Sequence, residues 1–254
     1  MIYMKLNTIQ VQSFMTGNLL GDGHIHYKNY CFMTTQINQD LIEFKAKIMK
    51  DYYGFSNIKT SFNPSYIDKY GIYRQDSWNL YGSPSKYFKK QRESFYENKQ
   101  IIVPRKQFKA IDSLGLAIWF ADDGTTIQVG YNANTRSSNR RRVQICTDDF
   151  LLEDVEFMAE ELTKRYGDVH VLSRGKNKGY RLNFTMFSAQ KFIVDISPYF
   201  ITYFPSLLYK LDLGYRDSSL ENRLYVSKEY HDLYLKISSH DLFVDRLKEK
   251  GYNK

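Results

Sequence analysis

Two aspartates stand where local energetics disfavour them, each closing an apolar run and each followed by glycine: Asp22 in "GNLLGDGHIH" and Asp123 in "AIWFADDGTT". The segments "SFMTGNLLGDG" and "SLGLAIWFADDG" read as short helices stopped by Gly23 and Gly124, since glycine just past the last turn is a common stop. A carboxylate at that end meets the negative pole of the backbone dipole, at a cost of about 0.3–1 kcal/mol. A bound cation reverses the sign. Gly17 and Gly21 lie four apart, as do Ala117 and Ala121, so each helix presents a small pair through which two backbones can approach. Helices packed side by side through those pairs bring Asp22 and Asp123 together, and neighbouring carboxylates repel unless a proton or metal intervenes. Magnesium chemistry commonly uses such a site, with few carboxylates and the rest of the shell made of water and phosphate oxygens. A lone Gly-Asp-Gly is usually an ordinary turn. Duplication of the motif is what points to chemistry.

The elements that must position these acids also occur twice. "EFKAKIMKDYYG" (43–54) and "EFMAEELTKRYG" (156–167) share Glu-Phe, the alanine in fourth place and the final Tyr-Gly without a gap, and each follows its acidic motif at a similar remove. The second copy is longer by a polar, basic stretch, "VGYNANTRSSNRRR", that reads as a hairpin loop. Each copy then predicts one order: an apolar helix ending at acid and glycine, two alternating strands, an amphipathic helix stopped by Gly54 or Gly167, then further strands and a helix. In "RRRVQICT" Val143 and Ile145 alternate with Arg142 and Gln144, and in "YRLNFTM" Leu182 and Phe184 alternate with Arg181 and Asn183, which gives each strand an apolar core face.

The other faces carry His26, Lys28, Thr34, Gln36, Gln75, Asn79, Gln128, Arg140, Arg142, Gln144, Arg181 and Asn183. Polar outer faces are the default for antiparallel sheets, but these are side chains that pair with base edges and phosphates, and a two-stranded ribbon fits the major groove. His24 and His26 alternate onto one strand face and read as DNA contacts ahead of metal ligands. Trp119 and Phe120 read as core. A one-residue slip would reverse any of these faces.

Composition sets the outer bounds. Hydrophobic residues make up 43% and aromatics 16% of the 254 residues, with only 5 Pro, so a folded chain is predicted and disorder is not. A net charge of +8 favours polyanionic partners. Cys31 and Cys146 are too few for a disulfide framework or a thiolate metal site. The first residues lack the apolar core of a signal peptide, and no stretch approaches the roughly 20 apolar residues of a membrane span. A soluble, intracellular protein is expected, in a bacterial or phage-host cytoplasm or an organelle, with no membrane partner.

"MTGNLLGDG" (15–23) and "LAIWFADDG" (116–124) resemble the paired motifs of two-motif LAGLIDADG homing endonucleases, over residues 9 to 215 or so. The resemblance implies an α+β fold, a pseudo-twofold duplicated αββαββα monomer whose motif helices form a central two-helix interface and whose two saddle-shaped antiparallel sheets lie along the major groove. The halves would be 1–106 and 107–213, followed by an extension, 214–254, that is helical at its end because "SSHDLFVDRLKEKG" has serine caps and near-helical apolar spacing. Asp22 and Asp123 match the metal-binding acids in the eighth place of each motif. Gly21 and Asp122, beside them, complete the candidate metal set, although Asp122 also reads as a flanking helix-end residue. The sixth place holds Leu20 and Ala121, a position that varies in the family. Lys210 in "LLYKLDL" resembles an active-site lysine, and Lys99 in "ENKQIIVPRK" is its counterpart in the first half, with Arg105 and Lys106 as competitors.

The resemblance implies an intron-encoded, site-specific endonuclease that hydrolyses both strands of a long asymmetric duplex with Mg²⁺, for which Mn²⁺ or Ca²⁺ could substitute. The acids would hold ions that polarise the scissile phosphates, and Lys99 and Lys210 would hold water or stabilise the phosphorane-like charge. No Ser-His-Asp or Cys-His arrangement competes for a covalent role. The alternatives are an intron-splicing RNA maturase or a non-cleaving DNA-binding protein on the same scaffold, and a small-molecule hydrolase, which would need an enclosed pocket.

Overall fold

The computed structural model describes residues 5–54, 58–128, 141–175, 178–213 and 226–249. The chain divides into two compact units, Met1–Asp122 and Asp123–Lys254. The first runs α1 (Thr8–Leu20), β1 (His24–Ile25), β2 (Phe32–Gln36), α2 (Gln39–Tyr53), β3 (Lys59–Asn63), a small hairpin of β4 (Tyr66–Ile67) and β5 (Tyr73–Arg74), β6 (Ser77–Tyr81) and α3 (Lys86–Phe95). A second small hairpin, β7 (Tyr96–Glu97) and β8 (Gln100–Ile101), leads to α4 (Arg105–Lys109) and α5 (Ser113–Asp123), whose last residue opens the second unit. That unit continues with β9 (Gly124–Gln128), β10 (Arg141–Thr147), α6 (Leu152–Tyr166), β11 (Val169–Ser173), β12 (Tyr180–Phe184), α7 (Met186–Tyr203), a 3-10 helix (Pro205–Leu211), α8 (Lys228–Ser238) and α9 (Asp241–Glu249).

Each unit holds one four-stranded antiparallel sheet, ordered β1-β2-β6-β3 in the first and β11-β12-β10-β9 in the second. With the motif helices, this is the α+β order anticipated from the repeat. The sequence repeat turns over after residue 106, whereas compactness turns over after Asp122, because α5 packs on α1 within the first unit. Among the described residues no helix is long and apolar enough to cross a membrane.

The cores follow the alternation. In the first sheet Ile25, Phe32 and Leu80 are buried beneath α2, which contributes Leu41, Phe44, Ile48 and Met49. In the second, Val143, Ile145, Leu182 and Phe184 are buried against α6 and α7, with the Phe184 and Phe192 rings 4.8 Å apart. The duplicated helices stop as predicted: Gly54 and Gly167 are their C-caps, at φ of 68° and 93°, values open to glycine and strained for other residues. The tail is fastened to the second unit. Tyr230 of α8 donates its hydroxyl to the Leu211 carbonyl at 3.0 Å and accepts the Leu213 N–H at 2.8 Å, and α9 packs on the 3-10 helix.

The motif helices stop differently from the prediction. Helix α1 ends at Leu20 with Gly21 as its C-cap at φ −101°, and α5 runs through Asp123 so that Gly124 already begins β9. Neither end needs a left-handed glycine. The glycines serve close approach instead: a Cβ on Gly23 would lie 2.5 Å from the Asn18 carbonyl oxygen, which accepts the Gly23 N–H at 2.8 Å.

The contact between α1 and α5 also uses a different small residue. A Cβ on Gly17 would lie 2.1 Å from the Gly115 carbonyl oxygen, and one on Gly115 would lie 2.4 Å from the Ser13 carbonyl oxygen. The backbones therefore meet at Gly17 and Gly115, and Ala117 and Ala121 are simply buried. Ser13 Oγ accepts the Asp112 N–H at 2.8 Å, while Asp112 Oδ1 accepts the N–H groups of Leu114 and Gly115 and caps α5. Gly17→Ala should lower unfolding stability by about 3 kcal/mol or more, beyond ordinary overpacking, whereas Gly54→Ala meets open space and should cost only the left-handed backbone, about 1–2 kcal/mol. Urea titration of both variants checks this, and equal losses would dismiss the helix contact.

Candidate functional site

Four side chains of the first unit converge beside the end of α1. Asp122, next to last in α5, is held by Lys45 of α2, whose Nζ lies 2.8 Å from both carboxylate oxygens. Both side chains are wholly buried, at 0% exposure. Gln36, the last residue of β2, donates through Nε2 to Asp122 Oδ1 and to Asp22 Oδ2, at 2.9 Å each. The Asp22 backbone N–H donates to Asp122 Oδ2 at 3.2 Å. A Cβ on Gly21 would lie 2.6 Å from that same oxygen, so Asp122 can sit here only because residue 21 has no side chain. Asp22 itself is exposed.

Burying an ion pair costs desolvation that the pair's attraction must offset, and removing one partner typically costs about 3–5 kcal/mol. Burial pushes the Asp122 carboxyl up to about 6; the Lys45 ammonium pulls it down, and the Asp22 charge adds to the rise. The ammonium at hydrogen-bond distance from both oxygens keeps the carboxyl ionised at neutral pH. Desolvation lowers the pKa of His24, with the charges of His26 and Arg92 adding to the effect, and a neutral imidazole can both donate and accept.

Lys45 was not among the predicted site residues, although the repeat held the signal. The ungapped match of 43–54 with 156–167 sets Lys45 opposite Met158, and both are fully buried. A lysine on the apolar face of an amphipathic helix implies a buried carboxylate to receive it.

The first sheet's outer face differs from the predicted one by a residue on β2. Phe32, Thr34 and Gln36 point inward, with Thr34 2% exposed, while Met33 and Thr35 point out. Pairing sets Thr35, Asn79 and Ser61 in one outward row, joined by the Thr35 Oγ1 to Asn79 Oδ1 hydrogen bond of 2.7 Å, and sets His24, Met33, Tyr81 and Lys59 in the next. The cause is Gln36, which the two carboxylates draw inward; period two then carries Thr34 with it. His26 accepts the Lys28 N–H at Nδ1, 3.3 Å away, in the β1–β2 turn. Lys28 and Gln75 are exposed.

In the second sheet Arg142, Gln144, Arg181 and Asn183 lie on the face opposite the core, as the alternation predicts. They are not all open. Gln144 and Asn183 are buried and joined by a 2.9 Å hydrogen bond, and Arg181 donates to Gln144 Oε1 and to Asp148 Oδ2, at 2.9 Å each. Partial burial works upward on Asp148, but hydrogen bonds from Arg181, Cys146 and Arg174 outweigh it and leave the carboxyl below its usual value. Arg142 is half-buried; Gln128 pairs with Arg141, in phase with the Thr126–Val143 pair and not with the outward Arg142 and Gln144, so the register takes it out of the predicted outer row, and Arg140 lies outside the described residues. Asp123 ends α5 directly before β9 and bears electrostatically on Cys146.

The two lysines sit in different settings. Lys99 is exposed in the two-residue turn between β7 and β8, where Asn98 and Lys99 take φ of 48° and 71°. Such a turn ordinarily carries glycine at its second place, so a lysine there bears backbone strain. Arg105 and Lys106 are exposed on α4. Lys210 is half-buried in the 3-10 helix among Leu207, Leu208 and Leu211.

Among the described residues no group of three or more His, Cys, Asp or Glu side chains could hold a metal ion. A metal here would have to complete its shell with water and a substrate's oxygens. A cavity of about 270 Å³ in the first unit, lined by Gln12, Thr16, Tyr87, Gln91 and Lys106 among others, contains none of the candidate acids.

Comparison with known proteins places the arrangement. The model of the LAGLIDADG DNA endonuclease family matches residues 12–192. Among solved structures, the homing endonuclease I-WcaI bound to its DNA recognition sequence is 22% identical, with 82% of this chain and 88% of that chain covered, at a TM-score of 0.64. The meganuclease I-SmaMI bound to uncleaveable DNA is 14% identical, with 99% of both chains covered, at a TM-score of 0.48. A protein of Arabidopsis thaliana named as an F-box protein is 29% identical over 93 residues, 37% of this chain and 25% of that protein, so the match spans a quarter of that relative's length.

The assignment of faces on β2 has its own check. Thr34 Oγ1 is buried without a hydrogen-bond partner among the described residues, so Thr34→Val should leave stability unchanged or raise it by about 1 kcal/mol. Thr35→Ala, on the open face, should stay within about 0.5 kcal/mol. Chemical denaturation reads both, and a clear loss on Thr34→Val would reverse the faces.

Proposed function

Because the chain belongs to the LAGLIDADG DNA endonuclease family, we propose that it cuts both strands of a long, asymmetric duplex DNA site with a divalent ion, magnesium by preference. The observation that carries this reading is the repeated unit itself: an apolar helix delivers an exposed or half-buried aspartate directly into a four-stranded antiparallel sheet with a polar outer face, once at Asp22 and once at Asp123.

A divalent ion, when bound, supplies positive charge to the scissile phosphate and makes a water more acidic. Asp22 and Asp123 would each present hard carboxylate oxygen to it, with the Gly21 backbone adjoining the first. The fit is favourable on the Asp22 side: Gln36 orients its Oδ2 from behind, and the residue is open to solvent. Asp122 is left out of the ligand set, since both its oxygens already hold the Lys45 ammonium. Lys99, held out on its strained turn, and Lys210 would place positive charge against the phosphate oxygens. A water nucleophile requires no covalent residue.

For DNA contact, the outward rows supply His24, Thr35, Asn79, Tyr81 and Lys59 in the first unit and Arg142 and Thr125 in the second, with His26, Lys28 and Gln75 at the turns. Arg181, Gln144 and Asn183 would act as one hydrogen-bonded group, presenting a fixed donor pattern. The net charge of +8 supplies the sequence-independent attraction to phosphates and makes affinity fall steeply with salt.

Selection of cleaved sites from a randomised duplex library with Mg²⁺ tests activity and specificity together. Asp22→Asn and Asp123→Asn should each reduce double-strand cleavage of the selected site by more than about a hundredfold, since loss of a mere supporting residue already costs ten- to a hundredfold, while gel-shift affinity is largely kept. Near-normal cutting by either variant, or tight binding of intron RNA with no DNA cut, would reject the assignment.

A further inference from the structure

The pairing of Lys45 with Asp122 has no counterpart in the other copy of the repeat. Where the second motif has Asp122, the first has Gly21; where the first repeated helix has Lys45, the second has Met158. A buried base and a buried acid have thus been placed together at positions that are otherwise small or apolar, and both lie next to Asp22. One nitrogen, Gln36 Nε2, is 2.9 Å from an oxygen of Asp22 and 2.9 Å from an oxygen of Asp122. Carboxylates gathered this closely repel unless a cation stands among them, and they are the kind of pair that would otherwise share a metal ion. The cation present is the Lys45 ammonium, and it stands on the Asp122 side, 2.8 Å from both oxygens.

We propose that Lys45 is a positioning residue that acts as the resident cation of this centre: it commits Asp122 to the protein and leaves Asp22 as the one carboxylate that the first unit offers to a divalent ion. The proposal rests on the reading of Asp22 as a metal ligand. Asp122, fixed by Lys45, accepts the Asp22 N–H and shares Gln36 with the Asp22 carboxylate, so the exposed acid is oriented from behind by a neutral, rigid group. Without Lys45 an incoming ion would meet two carboxylates and settle between them, away from Asp22's open side. A pair that served only to stabilise the fold would leave ion affinity unaltered.

The test uses the full chain without DNA and follows free Mn²⁺ by its electron paramagnetic resonance signal during titration. Asp22→Asn should remove the site. Lys45→Met, which installs the residue found in the other copy, should bind Mn²⁺ about tenfold more tightly, and Asp122→Asn, which leaves the ammonium unbalanced, about tenfold more weakly. The double variant K45M/D122N should return to within about threefold of the unaltered protein. If Lys45→Met alone does not fold, Asp122→Asn and the double variant carry the comparison, since the double variant buries no unpaired charge. Equal affinities throughout, weakening by both single changes, or no Mn²⁺ binding by the unaltered protein would overturn the proposal. Opposite shifts in a protein that cuts no library DNA would support it while rejecting the nuclease reading, and DNA cleavage with equal Mn²⁺ affinities would do the reverse.

Discussion

At the contact of α1 with α5 there is no room for a methyl group: the Gly17 and Gly115 backbones touch, and a side chain on either would collide with the other helix. Helices that touch by backbone bring their ends together with little freedom to slide, because the fit depends on one missing side chain at each contact. That is how Asp122, at the end of α5, comes to lie against Gly21 and Asp22 just past the end of α1. Every other feature of the acidic centre, from the hydrogen bond on the Asp22 N–H to the grip of Gln36 on two carboxylates, follows from this approach.

Placing charges so close creates an electrostatic problem, and the first unit solves it internally. Lys45 supplies the cation inside the fold, and Asp122 is the buried acid paired with it. The result is a neutral pair supporting a single exposed acid. The second unit has no such pair at the corresponding repeat positions, since Met158 replaces the lysine. The two copies therefore share an architecture while differing in how their acids are held.

The centre also governs the sheet. Drawing Gln36 inward sets the pleat of β2, so that Thr34 is buried and Thr35 joins Asn79 on the open face. In the second sheet the polar residues satisfy one another through Arg181, Gln144 and Asn183, with Asp148 just past the end of β10 holding Arg181. A polar outer face is thus shaped by two different means on the two copies, by an anchored register in one and by a side-chain network in the other.

Much of this was legible in the residues alone. The repeat, the order of elements, the helix stops at Gly54 and Gly167 and the inward set of Val143, Ile145, Leu182 and Phe184 depend on local periodicity and backbone preference, which a sequence carries directly. The eighth-place acids of both motifs are equally plain. Three things were settled only by the tertiary structure. The helix contact fell to Gly115 and not to the alanines, because helical spacing shows which residues share a face but not which of them meets a partner. The β2 pleat was fixed by carboxylates outside the strand, because alternation defines two faces and leaves open which one is inward. Lys45 became a buried partner of Asp122, 77 positions away, because whether an ammonium can leave water depends on what waits for it in the interior, and no local pattern encodes that.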